Sequence, residues 1–548
     1  MKIKNINKLI LYSFFLLYFA IGTITFGDYG VNIEEHTQLY SGFYWLNYVF
    51  NVFGIDFLKD NLTEILNNIS RDSYLPNPEY YTYGPVFDLP TAFIDLLLGR
   101  KDTYLYFKYR HFIVFLIYYL SSIIFFKILI KRFNNFFISF FGTILYIFSP
   151  RIYGDSFHNN KDIIFLSLVA FSLYFAFKIF EKKKVKYLFF FSLLAAVATS
   201  TRVIGIFLPI SLIIFLFLEK LNSQSNKNTK LIILILLFYI LSLIAHWPHL
   251  WENPILNFYE FVIKSKNWIF SYYILFNGEY VLTTSLPDTY IFTWIGISTP
   301  VLNLILFIFG FILITRRLFL RFISIDPLKN YNCDFWRGKN EMKDSFIIFN
   351  LISILSILVF LNVSLASGWR HLYFLNLFLI YLGVYFLNIL SIRFSKYQIS
   401  FISIFLILLI PNIYKLILFH PFQSLYINEL VEEKDKNNYL IDREGLTRLD
   451  SIHKILSLSN HQGKINIANA SFIPYYRIND ALIDSKKSKI NFVWGEYSEA
   501  DYIYNNYVYE INPKFNDKYE IPGNFKKIYQ LEINGLKMYE IWSKNSKK

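Results

Sequence analysis

Cysteine and the common nucleotide-binding signatures are what this sequence lacks. Its 548 residues include one cysteine, Cys333, which excludes an internal disulfide framework. No Walker loop, dinucleotide fingerprint, HExxH or CxxC motif is present, so soluble nucleotide chemistry is not supported. The net charge of +14 comes from lysines and arginines in short clusters between apolar runs. Because these clusters form no basic face with interleaved aromatics, we expect no nucleic acid partner.

Hydrophobic residues, by contrast, are abundant. They make up 55% of the chain, 20% of it is aromatic, and the mean hydropathy is +0.36, more than the core of a soluble domain requires. Apolar runs of roughly 15 to 22 residues recur through the first 420 positions, each about the length that an α-helix needs to cross a ~30 Å hydrocarbon layer. The sequence therefore predicts a polytopic α-helical membrane protein.

The first apolar run, residues 9–27, follows the basic segment MKIKNINK. A cleaved signal peptide is the alternative to a first span. The run is long and ends without a small-x-small cleavage site, so we expect an uncleaved span. Ten further candidate spans lie at 111–130, 135–150, 162–180, 187–201, 203–218, 229–246, 290–314, 345–365, 372–391 and 398–419.

Basic clusters decide the orientation of these about eleven helices. With the N-terminus inside, every cluster falls in the cytoplasm: Lys131 with Arg132, 181–184, 220–230, 316–343 with Cys333, and 393–396. The segment 83–99 would invert this order if it crossed the membrane. We therefore expect it to lie at the outer surface or to dip partway into the bilayer.

The chain divides into two predicted domains. Residues 1–420 form the transmembrane domain, in which 27–110 is one long outer loop, and residues 421–548 form a small soluble extracytoplasmic α/β domain. The predicted elements of the second domain are a helix at 445–460, strands at 464–470, 489–494 and 500–507, and a hairpin at 528–542 whose Asn534-Gly535 suits a type I′ turn.

Ionisable residues collect in four of the predicted outer segments. The first is IEEHTQLYSGFYW, residues 33–45, which carries Glu34 and Glu35. An isolated acidic pair just past a helix end is also explained as solvated charge. A functional role for Glu34 and Glu35 therefore depends on other ionisable residues lying near them.

The second segment is SPRIYGDSFHNNKD, residues 149–162, a polar loop between two spans. Asp162 begins the next helix, where a carboxylate can also serve simply as an acceptor for backbone N–H groups. A mere connector would not require the polar residues that crowd the same turn, which are His158, Asn159, Asn160 and Lys161, and Arg151 stands in the same segment.

The third and fourth segments place arginines at outer helix ends. Arg202 interrupts an apolar stretch in TSTRVIG, and Arg370 and His371 stand in SGWRHLYF. Charges at membrane depth usually face a cavity or a partner, and a guanidinium suits the phosphate of a lipid. A snorkelling arginine within an aromatic belt is the alternative for Arg370.

A metal site is not predicted. HWPHLWENP offers His246, His249 and Glu252 in one turn, but its prolines disrupt any regular ligand spacing. The sequence neither requires nor excludes a divalent cation. What it does show is acids and arginines at one membrane face, which is what sugar transfer from a lipid-phosphate donor requires.

The segment IEEHTQLYSGFYWL resembles the Asp-Glu motif in the first outer loop of the glycosyltransferase-C superfamily. The pattern is most similar to the protein O-mannosyltransferases and the bacterial aminoarabinose transferases. YGPVFDLP at 83–90 resembles the proline-containing segment of that family, Asp162 its second acid, and Arg202 and RHLYF at 370–374 its arginines near the lipid phosphate.

Three features depart from the family pattern. Glu34 stands where the family has Asp, and Tyr83-Gly84-Pro85 lacks the cation of the family's His-Pro or Lys-Pro pair. The tail does not match the β-trefoil domain of the eukaryotic mannosyltransferases.

The resemblance implies an inverting membrane glycosyltransferase that moves a sugar from a polyprenyl-phosphate donor to an unknown extracytoplasmic acceptor hydroxyl. It implies Glu34, or else Glu35, as the base, with Asp162 orienting the acceptor or helping to bind a cation. The residues expected to bind the lipid phosphate or sugar are Arg151, His158, Lys161, Arg202, Arg370 and His371. The composition, typical of an AT-rich genome, favours a bacterial inner or plasma membrane as the location, in contact with membrane lipids.

Two other functions stay open. A lipid-linked polysaccharide polymerase or ligase would share the carrier substrate, but its chemistry centres on arginines and a histidine in a large outer loop. A membrane transporter would need polar residues and broken helices near mid-membrane, whereas the charges here lie at helix ends.

Overall fold

The computed structural model describes the chain except residues 1–4, 71–81, 100–102, 224–226, 267–270, 324–335, 362, 364, 366, 460–462, 494–496 and 545–548. Cys333, predicted to be cytoplasmic, lies outside the described residues. The helices are α1 Asn5–Thr25, α2 Ile33–Phe53, α3 Lys59–Ser70, α4 Asp88–Leu97, α5 Thr103–Phe133, α6 Phe136–Ile147, α7 Pro150–His158, α8 Asp162–Lys182, α9 Val185–Thr201, α10 Phe207–Ser223, α11 Lys227–His246, α12 Pro254–Lys266, α13 Tyr290–Ser298, α14 Val301–Ile323, α15 Gly338–Phe360, α16 Leu375–Arg393, α17 Gln398–Leu418, α18 Arg448–Leu458 and α19 Asp484–Lys487.

Long apolar helices dominate the first three quarters of the chain. Within its described part, 9 helices are long and apolar enough to cross a membrane, or up to 10 if the bent pair α6 and α7 counts as one span. The helix α9 is apolar but shorter, at 17 residues. This architecture, together with a small C-terminal sheet, confirms the predicted fold class, while the number eleven and the orientation stay predictions.

The helix α4 is too short to span a bilayer. Its 10 residues rise about 15 Å, roughly half of the hydrocarbon thickness. The segment 83–99, which contains α4, therefore does not cross as a continuous helix. The helix α2 is longer, at 21 residues, but it is not among the helices that are apolar enough to cross a membrane.

Three predicted boundaries were wrong. Residues 150–158, expected in a loop, form α7, bent by 63° from α6, because Pro150 occupies the first helical turn, where its missing N–H costs nothing. The span expected at 290–314 breaks before Pro300, since a residue preceding proline disfavours helical geometry. The span expected at 345–365 lies on a helix that ends at Phe360 and begins at Gly338, where Glu341 pairs with Arg321 and Lys343 with Glu181.

The C-terminal domain is built on a five-stranded mixed sheet. After the hairpin β1 Tyr273–Phe276 and β2 Glu279–Leu282, the strands are β3 Ile465–Asn469, β4 Ile490–Phe492, β5 Tyr502–Asn505, β6 Phe525–Ile533 and β7 Leu536–Lys544. Their order is β4-β3-β5-β7-β6, with β3 parallel to β4 and β5, and β7 antiparallel to β5 and β6. Asn534 and Gly535 both have positive φ, as the predicted type I′ turn requires.

The β1–β2 hairpin, which the sequence did not reveal, joins the sheet domain to the helices. Gly278 N–H donates to the carbonyl of Asn438 at 2.8 Å, and Tyr273 N–H donates to that of Glu510 at 2.9 Å. The C-terminal domain therefore packs against the loops between helices as well as following the last one.

Charges at one end of the helices form a buried network around Asp344, which is fully buried. Its carboxylate accepts two hydrogen bonds from Arg132, at 2.7 and 2.5 Å, one from Arg317 at 2.9 Å and one from Tyr381 at 2.7 Å. Beside it, Lys343 pairs with Glu181 at 2.8 Å. The Asp344 network, defined as Asp344, Arg132, Arg317 and Tyr381, thus joins α5, α14, α15 and α16.

We predict that Asp344→Asn destabilises the protein by about 3–5 kcal/mol, because it leaves two arginines without their counter-charge in a buried site. Thermal unfolding of the purified protein in detergent measures this. The matched control is Asp484→Asn, which removes an exposed partner of Lys487 and should change the stability by less than about 0.5 kcal/mol. Equal melting temperatures for the two variants would contradict the prediction.

Candidate active site

The acidic pair begins α2, and the two carboxylates have different surroundings. The side chain of Asn32 accepts the N–H of Glu34 at 2.9 Å, and the carboxylate of Glu35 accepts the N–H of Asn32 at 2.7 Å, which is a capping box. The second oxygen of Glu35 lies 3.0 Å from Nε2 of His111. Glu35 is 1% exposed, whereas 42% of the Glu34 side chain is exposed.

Asp162, the first residue of α8, is buried, and its carboxylate contacts Arg202 and Asn159. One oxygen pairs with Arg202, which follows α9. The other accepts a hydrogen bond from the amide of Asn159 at 3.0 Å, while the side-chain oxygen of Asn159 accepts the Asp162 N–H at 2.8 Å. The loop between α7 and α8 therefore fixes both the carboxylate and the start of the helix.

Arg370 lies among three carboxylates from distant parts of the chain. Its guanidinium pairs with Glu34, its Nη1 lies 3.0 Å from Glu444 of the C-terminal domain, and its Nε lies 3.7 Å from Asp162. The Arg370 side chain is only 6% exposed. We call Glu34, Asp162, Arg202, Arg370 and Glu444 the Arg370 cluster.

The Arg370 cluster and the Asp344 network lie at opposite ends of the helices. Asp162 begins α8, and Glu181, which pairs with Lys343, lies near its end. The helix rises about 30 Å between these two residues. The cluster is therefore separated from the basic connections by the length of a transmembrane helix.

Burial and the surrounding charges shift the pKa values of the groups at the cluster. Burial acts to raise the pKa of Glu34, but Arg370 and Lys161 outweigh it and lower that pKa to about 2. Burial, followed by the charge of Arg202, lowers the pKa of Lys161 to about 7. Burial and both arginines also hold the pKa of His371 well below its usual range, so this imidazole is neutral at pH 7.

Lys161 lies against the proline-containing segment. Its Nζ is 3.1 Å from the centroid of the Tyr83 ring, a cation–π contact. The neighbouring Gly84 donates its N–H to the carbonyl of Ser200 at 2.9 Å, and a Cβ on Gly84 would lie 2.4 Å from the Ser200 side chain. The proline-containing segment at 83–90, which lacks the family's cation, therefore lies beside Lys161 from the loop before α8.

Two of the predicted substrate-binding residues have partners elsewhere. Arg151 donates from Nε to the carbonyl of Tyr426 at 2.8 Å and lies over the ring of Trp294. His158 is buried, with its Nε2 3.1 Å from Oγ of Ser424. Their described contacts fit a role in joining α7 to the segment after α17.

The histidines of HWPHLWENP are also separated. His246 lies 2.8 Å from Oγ of Ser200, whereas the ring of His249 packs against Trp45. In the part of the chain that the structure describes, no group of three His, Cys, Asp or Glu side chains could hold a metal ion.

Two residues at the cluster, Glu444 and Tyr83, were not predicted as site residues. Glu444 stands in the polar segment IDREGLTR. No local signal in this segment linked Glu444 to Glu34, which lies more than four hundred residues earlier in the chain. Tyr83 was visible only as part of the proline-containing segment, and its contact with Lys161 depends on the tertiary structure.

The cluster has the chemistry of an anion site beside an accessible carboxylate. Among the described residues, Nε of Arg370 and Nε of Arg202 are buried without a hydrogen-bond acceptor. Guanidinium N–H groups in such a position can donate to phosphate oxygens. Glu34, which is half-buried and ionised, can accept a proton.

Residues 85–251 match the profile of a family described as dolichyl-phosphate-mannose-protein mannosyltransferase. This stretch includes Asp162 and Arg202 but neither Glu34 nor Arg370. Over these residues the match confirms the predicted resemblance to the glycosyltransferase-C superfamily.

Two solved structures are similar to the chain. One is ArnT from Cupriavidus metallidurans in the apo state, at 11% identity and a TM-score of 0.43, covering 97% of this chain and 98% of that one. The other is the same enzyme bound to undecaprenyl phosphate, at 10% identity and a TM-score of 0.38, covering 84% of this chain and 88% of that one. No curated protein matches the sequence.

We predict that Arg370→Gln raises the pKa of Glu34 from about 2 into its ordinary range near 4.5 or above, because the strongest attraction on the carboxylate is lost while its burial remains. Infrared titration of the purified protein measures this, with the Glu34→Gln variant identifying the band. Arg317→Gln, at the other end of the helices, is the control and should leave the titration unchanged. A Glu34 band that titrates identically with and without Arg370 would refute the pairing.

Proposed function

We propose that this protein is a membrane glycosyltransferase of the glycosyltransferase-C type, which moves a sugar from a polyprenyl-phosphate donor to an extracytoplasmic hydroxyl acceptor with inversion. The observation that carries the proposal is the Arg370 cluster itself. It brings together the half-buried Glu34 from α2, Asp162 from the start of α8, Arg202 from the end of α9 and Arg370 from the turn before α16.

Two further observations support a lipid-linked donor. The matching family is described by its dolichyl-phosphate-mannose substrate, a sugar on a polyprenyl phosphate. The cluster also stands at the ends of apolar helices, where the phosphate of a membrane-embedded lipid can reach it.

Glu34 is the proposed base. The acceptor oxygen bonds to the anomeric carbon, the bond from that carbon to the phosphate oxygen breaks, and the hydroxyl proton passes to Glu34. A carboxylate with a pKa of about 2 is a weak base, but a donor phosphate that draws Arg370 to itself weakens the attraction on Glu34. Donor binding thereby strengthens the base.

Arg202 and Arg370 are the proposed phosphate-binding groups. Their buried N–H groups that lack acceptors can donate to the phosphate as negative charge develops on it during departure. Lys161 and His371 stand near enough to act on the charges of the cluster, and we propose them as further donor-binding groups. Asp162 holds the two arginines at the same site.

Glu35 has a different proposed role. Its oxygens accept from the Asn32 backbone and lie against His111, and its burial keeps it from an acceptor. We therefore propose that Glu35 positions Glu34 by capping α2 rather than acting as the base.

The cluster is proposed to lie on the extracytoplasmic side. The supporting observation is that basic residues collect at the other end of the helices, around the Asp344 network and Glu181, as the positive-inside rule requires of a cytoplasmic face. Residues 1–420 then form the transmembrane domain and 421–548 an outer domain beside the acceptor.

We predict that Glu34→Gln lowers sugar transfer by about 100-fold or more, because the acceptor proton loses its base. The assay incubates purified protein with labelled polyprenyl-phosphate sugars and membrane extract and follows the label as it leaves the lipid. Glu432→Gln, which removes an exposed carboxylate beside Lys434, is the control for loss of charge.

Glu35→Gln completes this comparison. It should lower the melting temperature, because the neutral amide can still accept the Asn32 N–H but no longer gives His111 a carboxylate partner, while keeping more transfer than Glu34→Gln does. Full transfer by the Glu34→Gln variant, with normal insertion into the membrane, would contradict the assignment of Glu34 as the base.

A second prediction concerns sidedness. In a variant with Cys333 replaced, a cysteine at the exposed Lys434 should react with a membrane-impermeant maleimide added to intact cells, whereas one at the exposed Lys396 should react only after the cells are opened. The reverse pattern would place the cluster on the cytoplasmic side.

A further inference from the structure

The C-terminal domain touches the chain directly before Glu34. Ile33 N–H donates to the backbone carbonyl of Glu444 at 3.0 Å, and the buried guanidinium of Arg448 donates to the carbonyl of Val31 at 2.7 Å. At Gly30 an added Cβ would lie 2.4 Å from the carbonyl oxygen of Leu446. The segment 444–448 therefore forms the surface on which the start of α2 rests.

From this segment the Glu444 side chain reaches the same arginine as Glu34 does. Its Oε1 lies 3.0 Å from Nη1 of Arg370, and 15% of its side chain is exposed. Glu34 pairs with Nη2 of that guanidinium. Two carboxylates, one from the start of α2 and one from the C-terminal domain, thus share a single buried positive charge.

We propose that Glu444 is a positioning residue of the transfer reaction, which competes with Glu34 for Arg370 and so keeps Glu34 available as the base. The inference rests on the proposed function. With Glu444 ionised, Arg370 divides its attraction among Glu444, Glu34 and the more distant Asp162. Without that charge, Arg370 attracts Glu34 more strongly, and a carboxylate held in a stronger ion pair accepts a proton less readily.

The competition depends on pH. Burial raises the pKa of Glu444 to about 7, against the attraction of Arg370, so its charge is present above that pH and is lost as the pH falls through it. The charged and titratable groups that face Glu444 are Arg370, Asp155, Glu34, Arg443, Tyr290 and Tyr373. Lys161, whose pKa is also about 7, loses its charge in the opposite direction, as the pH rises.

The test compares Glu444→Gln with Glu444→Asp and with Glu510→Gln. The last variant removes a carboxylate of the same domain that pairs with Lys518, far in sequence from the cluster. We expect Glu444→Gln to lower kcat by about tenfold, with the KM for the donor changed by less than about threefold, since Arg370 itself remains. Glu444→Asp should recover most of kcat, and Glu510→Gln should match the wild type.

The pH profile distinguishes positioning from a structural role. In the wild type, kcat should fall as the pH drops through about 7, and in Glu444→Gln this fall should disappear. A kcat for Glu444→Gln equal to the wild type, or an unchanged acid limb in its profile, would overturn the inference.

A second measurement does not depend on enzymatic activity. Melting temperatures of Glu444→Gln, Arg370→Gln and the double variant form a cycle in which the double variant should lose less than the sum of the single losses. A wild type that transfers no sugar refutes the proposed function, whereas additive losses refute the Glu444–Arg370 interaction, so the two failures are distinguishable.

Discussion

One guanidinium holds this protein's candidate site together. The side chain of Arg370 is almost completely buried, and an unpaired charge in such a place is very costly. The chain supplies carboxylates from the start of α2, the start of α8 and the C-terminal domain. Because the same positive charge attracts all three, the transmembrane helices, the loop with the acidic pair and the C-terminal domain are joined at one point.

The same interaction explains why a structural ion pair and a reactive site can coincide. Glu34 is held by Arg370 yet remains the exposed member of the acidic pair, while Glu35 is occupied in capping α2. In the proposed mechanism, a phosphate that enters the cluster competes with the carboxylates for Arg370. Binding of the anion and release of the base are then one event, and Glu444 is proposed to set how tightly Glu34 is held beforehand.

A second buried network performs a purely structural task at the other end of the helices. Asp344 accepts hydrogen bonds from two arginines and a tyrosine on three different helices. Each charge is satisfied inside the protein, so α15 can begin with charged residues that hydropathy alone assigns to a loop. Asp344 is fully buried and accepts hydrogen bonds from both arginines and from Tyr381, whereas 42% of the Glu34 side chain in the Arg370 cluster is exposed.

Local properties of the sequence determined the class of fold and several elements. Apolar runs of spanning length, the Asn534-Gly535 turn and the strand patterns of the C-terminal domain depend on neighbours in the chain, and they were predictable for that reason. The sequence also marked Glu34, Asp162, Arg202 and Arg370 as unusual, since charges at helix ends stand out against apolar surroundings. The start of α7 at Pro150 and the capping of Asn32 by Glu35 are local as well, although hydropathy does not show them. Tertiary structure alone decided that Arg151 and His158 contact the segment after α17 and that Glu444 reaches Arg370. These contacts join residues that are far apart in the chain, and long-range pairing leaves no periodic trace in a sequence.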